Sequence, residues 1–278
     1  MAEEIEDKKS RSPFKDVVEL KKEIIDFINI FKTTVADHSD RISNYFEMSC
    51  FNYVVKYYQL QGYNVTIQNL QLNQYRYKCS PSGIQSNFSH FRISKICNGK
   101  THEYEIHHNL AVESAHEKGI YTTPDITIID IDSVSYNNQV YETKKRFSYV
   151  AQVKFVTFCE VKNFNPFSEL IFNFMGVVNE LAPKILNNTM TARETVHIAP
   201  CLMISGTPNK QTSAIKKSIE SRYCVNVIYQ MFYSASFTFS KSNIKQLRTH
   251  GALTEFVSSK AVDPIDKFLE VLISQESQ

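Results

Sequence analysis

The distribution of apolar residues along the chain predicts two helices followed by a run of strands. Residues 13–33 repeat apolar side chains at helical spacing, with Lys and Glu on the opposite side. A second helix is expected from about Ile42 to Gln61, because Gly62 suits a helix C-terminus. The polar residues 36–40 form a loop between the two helices in this interpretation.

Apolar segments rich in β-branched and aromatic residues predict strands after the second helix. These segments are 64–72, 87–96, 102–112 and 125–131, then a hairpin at 133–148 and a long strand at 149–164. A helix from about Ser168, a strand in HIAPCLMISG, a helix in TSAIKKSIESRY, a strand in CVNVIYQMF and helices near 243–248 and 264–274 follow. This order predicts an α/β fold with a mixed sheet flanked by helices. We divide the chain into a charged N-terminal segment with a helix, 1–41, a core, 42–235, and a helical C-terminal extension, 236–278.

Composition narrows the function classes. The net charge of +2 is too small to require a nucleic-acid partner or to exclude one, and only seven glycines argue against a Gly-rich phosphate-binding fold. No apolar run reaches the length of about 18 residues that a membrane helix needs. The charged N-terminus has no apolar signal-peptide core, so we expect a cytoplasmic protein without a membrane partner. Six widely spaced cysteines, with no CxxC pair, indicate free thiols and disfavour a Cys-based zinc site.

The segment FCEVKNF, residues 158–164, places charged side chains in an apolar strand pattern. Since side chains alternate across a strand, Glu160 and Lys162 share one face. Upstream, Asp125 follows Pro124 at the start of another apolar strand, a position that tolerates proline. If the two strands are neighbours, two carboxylates and a lysine form an oxygen-rich site that suits Mg²⁺. The alternative is a salt-bridged sheet end without a metal, with Asp125 capping a turn.

These motifs, Pro124-Asp125 and Glu160-Val161-Lys162, resemble those of the PD-(D/E)xK nuclease superfamily. The resemblance covers about residues 42–232 and implies a restriction-endonuclease-like αβββαβ core, here with N- and C-terminal helical extensions. It implies that Asp125 and Glu160 bind Mg²⁺ or Mn²⁺ and that Lys162 assists the attacking water. Glu47, on the apolar face of the second helix, matches the extra metal-site glutamate of many members. The helix after the second motif lacks the glutamine of some members, which leaves the subfamily open.

The resemblance implies a metal-dependent endonuclease that hydrolyses phosphodiester bonds, with DNA as the favoured substrate and prokaryotic defence or DNA processing as the setting. Lys144, Lys145 and Arg146 form a basic cluster in the extra hairpin, and Lys210 lies near a helix start, so we expect contacts with a nucleic-acid backbone. A homodimer would suit the cutting of both strands of a duplex. The alternative function is a non-catalytic module that binds nucleic acid or protein, and the intact motif favours the enzyme.

Two further patterns are weaker candidates for sites. His102, His107, His108 and His116 lack the spacing of a zincin, and His107 faces away from His102 and His108 on a strand, so a dedicated zinc site is disfavoured. The segment 204–217, ISGTPNKQTSAIKK, has one glycine and no P-loop pattern. A strand–turn–helix connection is therefore favoured there over a nucleotide site.

Overall fold

A computed structural model describes residues 17–36, 42–137, 146–187, 193–232 and 241–251. Within them the helices are α1 Val17–Asn29, α2 Ile42–Leu60, α3 Ser168–Leu181, α4 Pro183–Leu186, α5 Lys210–Arg222 and α6 Lys241–Ile244. The strands are β1 Thr34–Val35, β2 Asn64–Gln68, β3 Gln74–Tyr75, β4 His90–Cys97, β5 Lys100–His108, β6 Ala111–Glu113, β7 Tyr121–Thr122, β8 Ile126–Asp130, β9 Val134–Asn137, β10 Phe147–Val150, β11 Phe155–Lys162, β12 His197–Ile198, β13 Cys201–Ile204, β14 Asn226–Ile228 and β15 Thr249–His250. Short 3₁₀ turns lie at Gln85–Asn87 and Gln152–Lys154.

A seven-stranded mixed sheet lies at the centre, in the order β14-β13-β11-β8-β5-β4-β2. Its part from β2 to β11 is antiparallel, whereas β11, β13 and β14 run parallel. Parallel neighbours need crossover connections, which α3, α4 and α5 provide in chain order. The predicted α/β class with a mixed sheet flanked by helices is confirmed.

Both faces of this sheet are covered by apolar layers. Cys159 and Met203 pack with residues of α1 and α2 on one face. Phe158 and Leu202 pack with residues of α3 and α5 on the other. Neighbouring residues of β11 and β13 thus enter opposite layers, as strand alternation requires, and burial of each large apolar side chain contributes about 1.5–3 kcal/mol.

A second sheet has four strands in the order β7-β6-β10-β9. In the chain, β6 and β7 come before β8 of the central sheet, and β9 and β10 come after it. Strands β9 and β10 pair antiparallel from Asn137 opposite Phe147 to Val134 opposite Val150, which confirms the two arms of the predicted hairpin at 133–148. Val112 and Val150 of this sheet belong to the same apolar layer as α3. The second sheet therefore extends that layer.

The prediction of a single strand over 149–164 is wrong, because two strands lie there. Strand β10 ends at Val150 in the second sheet, a 3₁₀ turn follows, and β11 begins at Phe155 in the central sheet. The apolar pattern continues because both strands are buried, and periodicity does not report a change of sheet. The strand predicted over 102–112 is likewise divided, because Asn109 adopts a left-handed φ of 50° between β5 and β6.

Other predicted element boundaries differ from the observed ones for similar local reasons. The strand predicted over 64–72 ends at Gln68, since Asn69 and Leu72 have left-handed φ of 53° and 51°. The strand predicted in HIAPCLMISG is split around Pro200 into β12 and β13, and the helix near 243–248 is the shorter α6. The helix predicted at 264–274 and the start of the first helix lie outside the described residues.

The helices predicted for α2, α3 and α5 are confirmed, and Asn209 begins α5 with a capping box to Thr212. None of the helices in the described ranges combines the length and apolar character needed to cross a bilayer.

Candidate active site

Asp125 and Glu160 meet at one edge of the central sheet, where β8 begins and β11 ends. These strands pair antiparallel with Cys159 opposite Ile126, so Glu160 and Asp125 are the next opposing positions. Opposing residues of an antiparallel pair point to the same face. The sequence hypothesis that the two strands are neighbours is therefore confirmed.

The Lys162 ammonium joins the two carboxylates. Its Nζ lies 3.0 Å from Oδ2 of Asp125 and 2.8 Å from Oε2 of Glu160. The backbone N–H of Val161 donates a further hydrogen bond of 2.6 Å to Oδ2 of Asp125. The side chains of Asp125, Glu160 and Lys162 are 17%, 12% and 30% exposed, so the group is largely buried and still reachable from solvent.

The charges of the three groups depend on one another. Burial raises the pKa of Asp125. The charge of Lys162 acts in the opposite direction, and the charge of Glu47 raises this pKa further. Burial and the charge of Asp125 raise the pKa of Glu160 to about 7, despite the contact with Lys162. Burial alone would lower the pKa of Lys162, but the two carboxylates raise it above its ordinary value. The Lys162 ammonium is thus shared by two carboxylates whose negative charges repel each other. An added divalent cation would reduce this repulsion.

Glu47 projects from α2 towards the same edge and is held by His108, the last residue of β5, and by Asn109, which follows it. Its Oε1 lies 2.6 Å from Nε2 of His108 and accepts a hydrogen bond of 2.5 Å from Nδ2 of Asn109. Burial alone would raise the pKa of Glu47, but His108, Asn109 and the Lys162 charge lower it. Asn109 also donates its backbone N–H to the carbonyl of Asp125 at 2.9 Å, which ties the end of β5 to the start of β8.

Sequence reasoning missed the contribution of His108 and Asn109 to the site. The available signal was the polar pair His108-Asn109 at the end of a strand, since asparagine tolerates the left-handed φ that Asn109 adopts. Glu47, Asp125 and Glu160 do not form a compact three-ligand group with their oxygens all within 4.8 Å of one another. The structure therefore unites Asp125, Glu160 and Lys162, with Glu47 nearby in a separate hydrogen-bonded pocket.

The donor chemistry of Asp125 and Glu160 fits Mg²⁺ or Mn²⁺. Their oxygens converge on one cationic atom, and hard divalent cations prefer carboxylate oxygens. Lys162 contacts one oxygen of each carboxylate, Oδ2 of Asp125 and Oε2 of Glu160. Glu47 would join such a metal only after movement of its oxygens or through water.

A second polar group lies on β4 and β5. His90, Glu105 and His107 are the one set of three metal-type ligands in the described ranges whose ligand atoms all lie within 4.8 Å. Nε2 of His107 is 3.0 Å from Glu105, Nε2 of His90 is 3.6 Å from it, and the two rings stack at 4.3 Å. The group borders a cleft of about 500 Å³ that Arg92 and Tyr136 also line.

The amide of Gln85 determines which ring nitrogen of His107 carries the proton. Its Oε1 accepts a hydrogen bond of 3.1 Å from Nζ of the buried Lys78, which turns its Nε2 towards Nδ1 of His107 at 3.1 Å and the carbonyl of His108. Nδ1 of His107 must then accept, so its Nε2 carries the proton and donates to Glu105. A metal bound to Nε2 of His107 would have to displace this proton. The hydrogen bonds of His90, Glu105 and His107 account for their close approach without a metal.

Two of the four residues predicted to contact nucleic acid, Arg146 and Lys210, are described, and they lie in different parts of the fold. Lys144 and Lys145 lie outside the described residues. The guanidinium of Arg146 lies over the ring of Tyr136 at 4.4 Å, beside the cleft at β4 and β5. Lys210 is exposed at the first position of α5. The 204–217 segment forms the expected strand–turn–helix connection.

Comparisons of the chain with models of known protein families, with curated proteins and with solved structures gave no match. Function is therefore inferred from the geometry of the site and from the motif residues.

Proposed function

We propose that this protein is a metal-dependent nuclease of the PD-(D/E)xK type that hydrolyses phosphodiester bonds, with DNA as the favoured substrate. The observation that carries the proposal is the convergence of Asp125 and Glu160 on Nζ of Lys162 at one sheet edge. The motif order, the mixed sheet and α2 packed against it also suit a restriction-endonuclease-like core. The homodimer and the cytoplasmic location stay predictions.

In this proposal each residue has a defined task. Asp125 and Glu160 hold Mg²⁺ or Mn²⁺, which would supply Lewis-acid stabilisation of the charge that develops on the phosphate. Lys162 donates hydrogen bonds from its ammonium, and its position between the carboxylates suits it to orient the attacking water or a phosphate oxygen. Glu47, kept ionised by its contacts with His108 and Asn109, adds negative charge beside the site.

The contacts of Lys162 also support a second candidate. An ammonium that neutralises two carboxylates is what a structural salt bridge at a sheet end contains, and the fold would then serve as a non-catalytic module that binds nucleic acid or protein. The requirement for a divalent metal distinguishes the two candidates, because only the nuclease needs a metal for its activity.

The test compares cutting of supercoiled plasmid, linear duplex, single-stranded DNA and RNA with Mg²⁺, Mn²⁺ or EDTA. Glu160→Gln removes a proposed ligand, and Glu194→Gln makes the same change at a carboxylate that contacts Lys100 and His102 elsewhere. We expect metal-dependent cutting by the wild type and Glu194→Gln, and a loss of about 100-fold or more in Glu160→Gln. Absence of cutting by the wild type on all four substrates would reject the nuclease.

A further inference from the structure

The loop after β11 exposes two phenylalanines beside the candidate site. Phe164 and Phe167 are 37% and 47% exposed, and their rings lie 6.0 Å apart with planes inclined by 24°. Phe164 comes two residues after Lys162, so the two Cα atoms lie within about 7 Å of each other. Large apolar rings at this position contribute little to the core and leave ring surface open towards solvent.

Close contacts with the neighbouring loop fix this segment in place. A Cβ at Gly206 would lie 2.4 Å from Cα of Asn165 and 2.5 Å from the carbonyl oxygen of Phe164, so only glycine allows the approach. Oδ1 of Asn165 accepts a hydrogen bond of 3.1 Å from the backbone N–H of Thr207. The hydroxyl of Ser205 donates one of 2.8 Å to Asn163. The two rings are therefore presented on a braced loop.

The bracing loop also leads to a basic side chain. It continues from Thr207 through the N-cap Asn209 into α5, whose first residue is the exposed Lys210. Lys210 comes three residues after Thr207, whose backbone contacts Asn165, so the Cα of Lys210 lies within about 11 Å of the Cα of Thr207. Exposed aromatic rings with a cation at this range are the combination that binds unpaired nucleic acid, since the rings stack on bases and the cation contacts phosphates. This pairing distinguishes the patch from an apolar surface that would suit a protein partner.

We propose that Phe164 and Phe167 form a stacking surface for an unpaired base of the nucleic acid, with Lys210 placed for the adjoining phosphates. The inference rests on the proposed nuclease function and narrows its substrate to single-stranded or locally opened nucleic acid. A base inside a duplex has both ring faces covered by its neighbours, so it has no face left for these rings.

The test measures dissociation constants by fluorescence anisotropy for a labelled single-stranded DNA oligonucleotide and for its duplex, with the full chain in EDTA. Phe164→Leu and Phe167→Leu keep apolar bulk and remove the aromatic face. Phe172→Leu makes the same change at a 55% exposed phenylalanine on α3. We expect each loop variant to bind the single strand about 5-fold or more weakly, with a smaller change for the duplex. Phe172→Leu should bind as the wild type does, and Phe164→Tyr, which keeps an aromatic face, should lose less affinity than Phe164→Leu.

Three results would overturn the inference: a wild type that binds no single strand, loop variants with unchanged affinity, or an equal loss of affinity for single strand and duplex. Circular dichroism of each variant checks that the protein is folded. Because binding is measured without metal, its result is separate from cutting. Single-strand binding that depends on both rings, in a protein that cuts nothing, would retain the stacking surface and reject only the nuclease.

Discussion

Nζ of Lys162 lies 2.8 Å from Oε2 of Glu160, two positions earlier on the same strand. The same ammonium contacts Asp125 across the strand pair, so one cation balances two carboxylates. Removal of any one of these groups changes the charge felt by the other two. Proton uptake, metal binding and stability at this sheet edge are therefore linked.

Glu160 should make the protein less stable at high pH. Burial and the Asp125 charge raise the pKa of Glu160 to about 7 from an ordinary value of 4.5. Its contribution to the free energy of unfolding is therefore present below pH 4.5 and is lost as the pH rises through 7, by about 3 kcal/mol at most. Urea denaturation in EDTA at pH 5 and pH 8 should show a smaller pH dependence for Glu160→Gln than for the wild type. Equal pH dependence in the two proteins would contradict the assigned cause.

Lys162→Met should destabilise the protein in EDTA and make it respond to Mg²⁺. The change leaves two carboxylates without their shared cation, which we expect to lower the free energy of unfolding by about 2 kcal/mol. Divalent metal should recover much of this loss, because it binds the folded state and replaces the missing charge. Thermal unfolding with and without Mg²⁺ measures both effects.

Lys154→Met is the matched control for that experiment. Lys154 is 55% exposed and its Nζ lies 3.9 Å from Asp130, so its loss should change stability by no more than about 0.5 kcal/mol. If Lys162→Met matched this control, the contacts at the sheet edge would have no energetic role.

His107 should make the protein sensitive to acid. Burial lowers the pKa of His107 to about 4 from an ordinary value of 6.5. Between these pH values the unfolded chain therefore binds a proton at this residue and the folded protein does not. Stability should fall by about 3 kcal/mol as the pH drops from 6.5 to 4, and His107→Gln should remove this part of the fall.

Urea denaturation at several pH values between 7 and 4 tests the role of His107. Glu105 adds to acid sensitivity: burial alone would raise its pKa, but the contacts with His107 and His90 lower it, so its stabilisation is lost as the pH falls. His107→Gln also removes the part of this stabilisation that comes from the contact with His107. A variant with the same slope as the wild type between pH 6.5 and 4 would show that His107 titrates normally.

Two glycine-to-alanine changes should have opposite effects. Gly206→Ala would force a Cβ against the backbone of Asn165 and Phe164, so we expect a loss of about 2 kcal/mol and displacement of the loop after β11. Gly176 lies inside α3 with no atom within 4 Å of an added Cβ, so Gly176→Ala should stabilise the protein by about 0.5–1 kcal/mol. Chemical denaturation of both variants gives the comparison, and a neutral Gly206→Ala would refute the close approach.

Local patterns predicted the elements whose signals are local. Helices α2, α3 and α5 followed from their local residue patterns, with Gly62 as the end signal of α2. Boundaries failed where one backbone angle ended a strand, as at Asn109. They also failed between β10 and β11, where an unbroken apolar pattern passes from one sheet to another.

Residue order alone places Glu160 and Lys162 on one face, because alternation along a strand is a property of two neighbouring peptide units. The position of Asp125 opposite Glu160, and the contacts of His108 and Asn109 with Glu47, follow from the folded chain and not from local pattern. Strand partners and register are set by the burial of whole apolar faces, which joins residues far apart in the chain. The pKa values of the site depend on those long-range contacts, so they too are products of the fold.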